Sequence, residues 1–354
     1  MKLNLSVNDL FNHMLVLGLA QIVEEEMPEA GHVTICWPDP QTSEIGWLDG
    51  GDLSINEAAE AVWSFKEKVL SHIGPNGGEA PIDRTIQIRG AKGVRDCSPL
   101  SPRIANKPAF TEAVWSSYFG VRNEILDSMD EVSPLFVRLV RALGFPSYWS
   151  ELSSIRSIQG NLDIGASSWE MAPRNSGSEF FTNKYIPLLK GIMKSLDAGD
   201  IAKHVQGICS DARGTDRNAS GLHRPSPTDS CRSWIAYHGL ALFSVRPVTQ
   251  GSCVSVSQGL LSLGGNTEFV LPIPTKPITI GSYAAASRFD GIYLLASGSS
   301  GGQDAARSRA QDVSWFAAHG IAYIIEFTRF KGGSASCPEY FALEGHVSAL
   351  EDKA

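Results

Sequence analysis

Ser300 lies in Gly298-Ser299-Ser300-Gly301-Gly302, which satisfies the Gly-x-Ser-x-Gly spacing of a nucleophile elbow. An elbow exposes its serine on a sharp turn between a strand and a helix, and Asp290 to Ser297 reads as an apolar strand with a helix beginning near residue 303. In such a site Ser300 would attack, His319 or His346 would take its proton, and Asp312 would orient the histidine. Only 54 residues follow Ser300, and no βαβ series precedes it to build a hydrolase sheet. A Gly/Ser-rich loop meets the same spacing with no chemistry, so the hydrolase is the alternative reading. A metal site has less to stand on. Cys209, His223 and Cys231 share one polar segment, but their separations of 14 and 8 fit no common zinc finger. Neither a Walker-type nor a dinucleotide-binding glycine pattern occurs. No metal and no cofactor is expected.

Cations with amide-rich surroundings point to a different chemistry. Arg84, Arg89, Lys92, Arg95, Arg103 and Lys107 fall within one span whose only acid is Asp96, giving it a net charge of +5. The strand expected over 84–90 alternates its side chains, so Arg84 and Arg89 need not share a face, whereas Lys92, Arg95 and Arg103 read as Gly/Pro-rich loop. Cationic loops with exposed N–H groups hold phosphate well; an ordinary solvated loop has the same composition. Farther on, Arg174 and Asn175 precede a helix start that also carries Lys184. Helix N-termini attract anions, and Arg and Asn suit guanine and adenine edges. The competing reading is a plain Asn-Ser-Gly turn ahead of core phenylalanines. Arg213, Arg217, Arg224 and Arg232 alternate with Asp211, Asp216 and Asp229 and read as a solvated segment.

These residues sit on a chain of 354 amino acids with 43% apolar and 19% charged residues, enough to fold around a core. Its net charge of −8 divides unevenly: residues 1–60 carry −10, 61–232 carry +3 and 233–354 carry −1. An acidic total argues against a stand-alone nucleic-acid binder but leaves room for a local basic face. No apolar run reaches the roughly 20 residues of a membrane span. The first residues lack a secretory leader's layout, and six scattered cysteines fit a reduced, cytoplasmic protein.

Periodicity predicts a helix over 8–27 capped by Asn8 or Asp9, strands at 32–37 and 45–48, and a helix over 54–72 opened by the Ser54/Glu57 capping box. Helices follow from 109 to 145, broken near Pro134, and from 178 to 198 with Pro187 as an interruption. Residues 210–231 are nearly devoid of apolar side chains, and beyond them short apolar runs alternate with turns and one helix at 303–319. The expected class is α+β, with a mixed N-terminal region, a helical middle and a β-rich C-terminal third. The expected division is an N-terminal domain over 1–205 and a β-rich domain over 206–354.

One stretch resembles a known family. Trp234, Ile235, Ala236, Tyr237, Gly239, Leu240 and Phe243 form an aromatic-Ile-Ala-aromatic-x-Gly-Leu-x-x-Phe segment. It is similar to one in the large, motif-reading subunits of type I CRISPR effector (Cascade) complexes, chiefly subtype G (formerly U). The opening helix with Gly18-Leu19 and the Pro-punctuated segment 269–279 resemble the same proteins, and Val7-Asn8-Asp9 stands where they carry Asn-Pro-Gly. The resemblance implies a subunit without catalysis of its own, in a complex with crRNA, target DNA and other effector subunits. It further implies reading of the short protospacer-adjacent motif (PAM), support of R-loop formation and docking of a helicase–nuclease. A purely structural interaction subunit is the remaining alternative.

Overall fold

The structure, a computed structural model, describes residues 1–73, 82, 84–90, 93–102, 112–144, 167–170, 181–192, 198–209, 230–250, 252–263, 266–297, 303–334 and 337–351. In chain order these form β1 (Lys2–Leu3), α1 (Leu10–Glu26), β2 (Val33–Asp39), β3 (Thr42–Trp47), α2 (Ile55–Leu70), β4 (Ile86–Gly90), β5 (Gly93–Cys97), α3 (Glu112–Asp130) and α4 (Pro134–Ala142). There follow α5 (Ile186–Ile192), α6 (Ala198–Cys209), α7 (Ser230–Gly239), β6 (Val245–Gln250), β7 (Ser252–Ser257), β8 (Leu260–Leu263), β9 (Asn266–Pro274) and β10 (Ile278–Thr279). The last elements are α8 (Ile280–Arg288), α9 (Gly291–Ser297), α10 (Gln303–Ala318), β11 (Ile321–Ser334), β12 (Cys337–Ala342) and β13 (His346–Ala349). Helices and antiparallel sheets are mixed and every strand from β6 to β13 lies in the final third, so the fold is α+β.

Helix α1 organises the molecule. Asp9 caps it by accepting from the Phe11 N–H at 2.9 Å, and every residue from His13 to Val23 is buried. A helix apolar around its whole circumference must be surrounded, and α7, α2 and β2 surround it. Helix α7 comes closest because glycine allows it. A Cβ on Gly18 would overlap the Ile235 carbonyl oxygen, and one on Gly239 the Met14 carbonyl oxygen. Helix α2 keeps its capping box: Ser54 Oγ accepts from Glu57 N at 3.2 Å, and the Glu57 carboxylate accepts from Ser54 N at 2.7 Å.

Two sheets flank these helices. The first has the order β1-β3-β2-β10 and the second β12-β11-β9-β8, with β13 also paired to β11; all pairs are antiparallel. The boundary expected at 205/206 does not divide the interior into separate cores. Strand β10 pairs with β2 (Ile278 opposite Ile35), and one buried apolar cluster runs from Leu3 to Leu350.

Local sequence explains three departures from expectation. Residues 291–297 are helix α9, not a strand, since a short apolar run suits either when it is buried. Residues 93–97, expected as loop, pair with β4. Within the helix expected over 178–198, the described residues form a π-helical turn at Phe181–Tyr185 running into α5, and Ala198 begins α6. Pro187 has no N–H to donate one turn back and its ring crowds that carbonyl, which favours the wider turn.

Three consecutive glutamates of the acidic head, at the end of α1, are engaged by neighbouring elements. Glu24 meets His32 at 3.0 Å. Glu25 accepts from Ser133 Oγ at 2.7 Å and from the Leu135 N–H at the start of α4. Glu26 pairs with Lys68 at 2.7 Å and accepts from Ser64 Oγ. Burial outweighs these donors at Glu25 and holds its carboxyl above the usual range.

Candidate nucleic-acid interface

Strands β4 and β5 form a two-stranded ribbon that pairs with no other described strand. Its register sets Ile86 opposite Cys97, Gln87 opposite Asp96, Ile88 opposite Arg95 and Arg89 opposite Val94. Directly opposed residues point to the same face of a pleated pair. Ile86 and Cys97 turn inward at 8% and 3% exposure, while Gln87, Arg89, Val94 and Asp96 are exposed. Gly93 takes φ +105 where the chain turns back, a conformation other L-residues rarely adopt.

Contacts at the root hold the ribbon. Arg84 Nη1 reaches Glu124 Oε2 on α3 at 2.8 Å, an exposed pair worth at most about 1 kcal/mol. Beyond β5, the buried Arg122 guanidinium donates to the carbonyls of Pro99 (2.9 Å), Val140 (3.2 Å) and Gly144 (3.0 Å). Tyr118 OH donates to Ser101 O at 3.1 Å. Together they tie residues 98–102 to α3 and to the free carbonyls at the end of α4. Burial pulls the Arg122 pKa below the ordinary arginine value.

The structure sorts the sequence-derived candidates. Arg89 is exposed on the ribbon, and Arg84 is at its root but engaged with Glu124. Arg95 belongs to β5, where a loop was expected, and its register position is opposite Ile88. Lys92, Arg103, Lys107, Arg174 and Asn175 lie outside the described residues. Lys184 must be corrected: it is only 5% exposed, in the π-helical turn beneath α5, so it offers no surface cation. Arg122 at 4% and Lys66 at 1% are interior as well. Lys66 Nζ sits 3.2 Å from the Trp63 ring centroid and 2.9 Å from Glu67. Sequence counted all three toward a basic middle. Arg122 carried one available sign, its apolar neighbours at helical spacing (Tyr118, Ile125, Leu126 and Met129).

The alternative hydrolase loses its framework. Helix α9, not a strand, leads toward Ser300, and Ser300 itself lies outside the described residues. His319 is committed elsewhere. Its Nδ1 bonds the Trp315 carbonyl at 2.7 Å and its ring stacks on Trp315 with centroids 4.1 Å apart. Asp312 is raised by burial and packs beside Gly291, and His346 stands opposite Glu326 on β13. Among the described residues neither histidine bonds Asp312. The described residues also hold no group of three metal-ligating side chains; Cys231 is buried in α7 and His223 lies outside them. No described helix is long and apolar enough to cross a membrane.

No protein-family model, curated protein or solved structure matches this chain.

Proposed function

We propose that this chain is a non-catalytic, cytoplasmic subunit of a crRNA-guided DNA surveillance complex. In that role it contacts the PAM-proximal duplex, supports R-loop formation and docks a helicase–nuclease. The carrying observation is the β4–β5 ribbon, anchored at its root and exposing Gln87 and Arg89 on one face. A two-stranded ribbon fits a major groove about 12 Å wide, where Arg reads guanine and Gln reads adenine through paired hydrogen bonds. Such a reader needs only a few base contacts, since pairing with the guide identifies the rest of the target. Lys92, Arg103 and Lys107 belong to the same stretch of chain and would hold flanking phosphates, with Arg174 and Asn175 as further contacts; Arg95 occupies a register position on the Ile86/Cys97 side, away from Gln87 and Arg89.

The packing of the resembling segments gives added support. Gly18 of the opening helix lies against Ile235 of α7, and residues 269–279 run from β9 of one sheet into β10 of the other. Segments spread through the chain thus meet in one unit. The overall −8 suits a subunit that shares phosphate contacts with crRNA-bound neighbours.

The test is Arg89→Glu in the assembled complex, scored by binding of PAM-bearing duplex across a salt series. The expected result is a loss of about tenfold or more, with a shallower salt dependence. Unchanged affinity and slope would overturn the assignment.

A further inference from the structure

Four side chains stand in two rows on the outer face of the β4–β5 ribbon. The register sets Arg89 beside Val94 in the row nearer the turn and Gln87 beside Asp96 in the row behind it. All four are exposed, Val94 at 53%. Among the described residues no side-chain hydrogen bond or ion pair occupies Gln87, Arg89 or Asp96, whereas Arg84 at the root is held by Glu124. Arg89 and Gln87 suit guanine and adenine edges. Val94 and Asp96 do not suit phosphate: an apolar side chain offers it no hydrogen bond, and a carboxylate repels it. A face made only to hold the DNA backbone would carry neither.

The major-groove edges of the bases supply a partner for each. Thymine offers a methyl group, the apolar element of that groove. Cytosine presents an amino donor with no acceptor beside it, whereas adenine sets N7 next to its amino group, and guanine and thymine turn acceptors toward a carboxylate. Asp96 is therefore best matched by cytosine and repelled by guanine and thymine, and repulsion of the wrong partner is itself a source of specificity. The spacing agrees. Opposed side chains on a ribbon lie about 5 Å apart and successive rows about 7 Å apart, and 7 Å spans two steps of about 3.4 Å along a DNA strand. Two rows thus cover about three base pairs, the extent of a short motif.

We propose that Val94 and Asp96 are specificity-determining residues of the ribbon, Val94 packing on a thymine methyl and Asp96 accepting from a cytosine amino group. The inference rests on the reading of the ribbon as a DNA reader and adds which bases its motif contains. The test presents the assembled complex with target duplexes randomised over the four base pairs next to the protospacer, and sequences the bound fraction. The parent should enrich cytosine at one position and thymine at another, each about fivefold or more. Asp96→Asn should move the first preference from cytosine to adenine, since an Asn amide pairs with adenine N6 and N7, and leave the thymine preference in place. Val94→Ser should reduce the thymine preference to within about twofold and leave the cytosine preference in place. Both side chains are exposed, so neither change opens the core; circular dichroism checks folding, and if one variant fails it the other is read. Variants that keep every base preference of the parent overturn the inference, as does a uniform loss of binding with preferences kept, the mark of a face that only supports the fold or docks protein. A parent motif without cytosine or thymine overturns it too. In these three cases an effect of Arg89→Glu on duplex binding leaves the ribbon assignment standing. A parent complex that binds duplex and enriches no motif, or whose motif and affinity survive Arg89→Glu, overturns that assignment itself.

Discussion

Replacing Gly18 with alanine sets two effects of known sign against each other. In a helix interior, alanine is preferred to glycine by about 1 kcal/mol, so propensity alone predicts a stabler protein. Packing predicts the reverse. The added methyl would overlap the Ile235 carbonyl oxygen and stand 2.9 Å from its carbon and 3.0 Å from Gly239 N. All three are backbone atoms of the facing helix, so no side chain can rotate aside. The helices must separate, and the buried faces of α1 and α7 lose contact with each other. Overpacking of this kind costs about 1–3 kcal/mol, at the upper end where backbone must move. The net expectation is a destabilisation of about 2 kcal/mol, roughly a thirtyfold fall in the folded-to-unfolded ratio. Gly120 provides the control. It lies within α3 and is exposed, and a Cβ there meets nothing within 4 Å, so Gly120→Ala should gain about 1 kcal/mol. Urea unfolding followed by tryptophan fluorescence reads both. A Gly18→Ala midpoint at or above that of the parent would refute the close helix crossing.

Two further outcomes follow from the interior polar groups. His238 bonds the Trp234 carbonyl at 2.8 Å and Tyr185 OH at 3.1 Å, and burial among aromatic rings pushes its pKa down to about 3. Its folded value lies below the unfolded 6.5, so its contribution is whole above pH 6.5 and fades as pH falls toward 3. Between these limits parent stability should fall more steeply than that of His238→Gln, by about 1.4 kcal/mol per pH unit; parallel curves from urea titrations would contradict this. Arg122→Ala leaves the Pro99, Val140 and Gly144 carbonyls without their donor. It should cost about 3 kcal/mol or more, and a midpoint unchanged in the same urea assay would mean that water replaces the guanidinium at no cost.

Sequence was most legible where one local rule acted alone. The Asp9 cap, the Ser54/Glu57 capping box and the break at Pro134 all needed only neighbouring residues. It was least legible where a distant partner decided. Gly93 to Cys97 contains glycine and two charged residues and reads as loop, yet β4 supplies its hydrogen bonds. The run from Ile292 to Ala296 is apolar enough for a strand, and becomes a helix because α10 and β9 cover it. Charge misled for the same reason. Lys66, Arg122 and Lys184 count as cations in any sum, but Trp63 and Glu67 hold the first, main-chain carbonyls hold the second, and the third is buried. Glu24, Glu25 and Glu26 likewise read as an acidic surface. Glu25 joins α1 to α4, Glu26 joins it to α2, and Glu24 meets His32 just beyond its end. The β4–β5 ribbon was therefore half visible: its cations could be counted, but its second strand and its outward face required the fold.

Purifying the chain under native conditions from the cells that encode it, and sequencing the nucleic acid that stays bound, tests the proposed role most directly. A subunit of a guided complex should bring with it a stoichiometric short RNA of uniform length carrying a repeat-derived end, together with other effector subunits. A chain recovered alone and free of RNA would contradict that role.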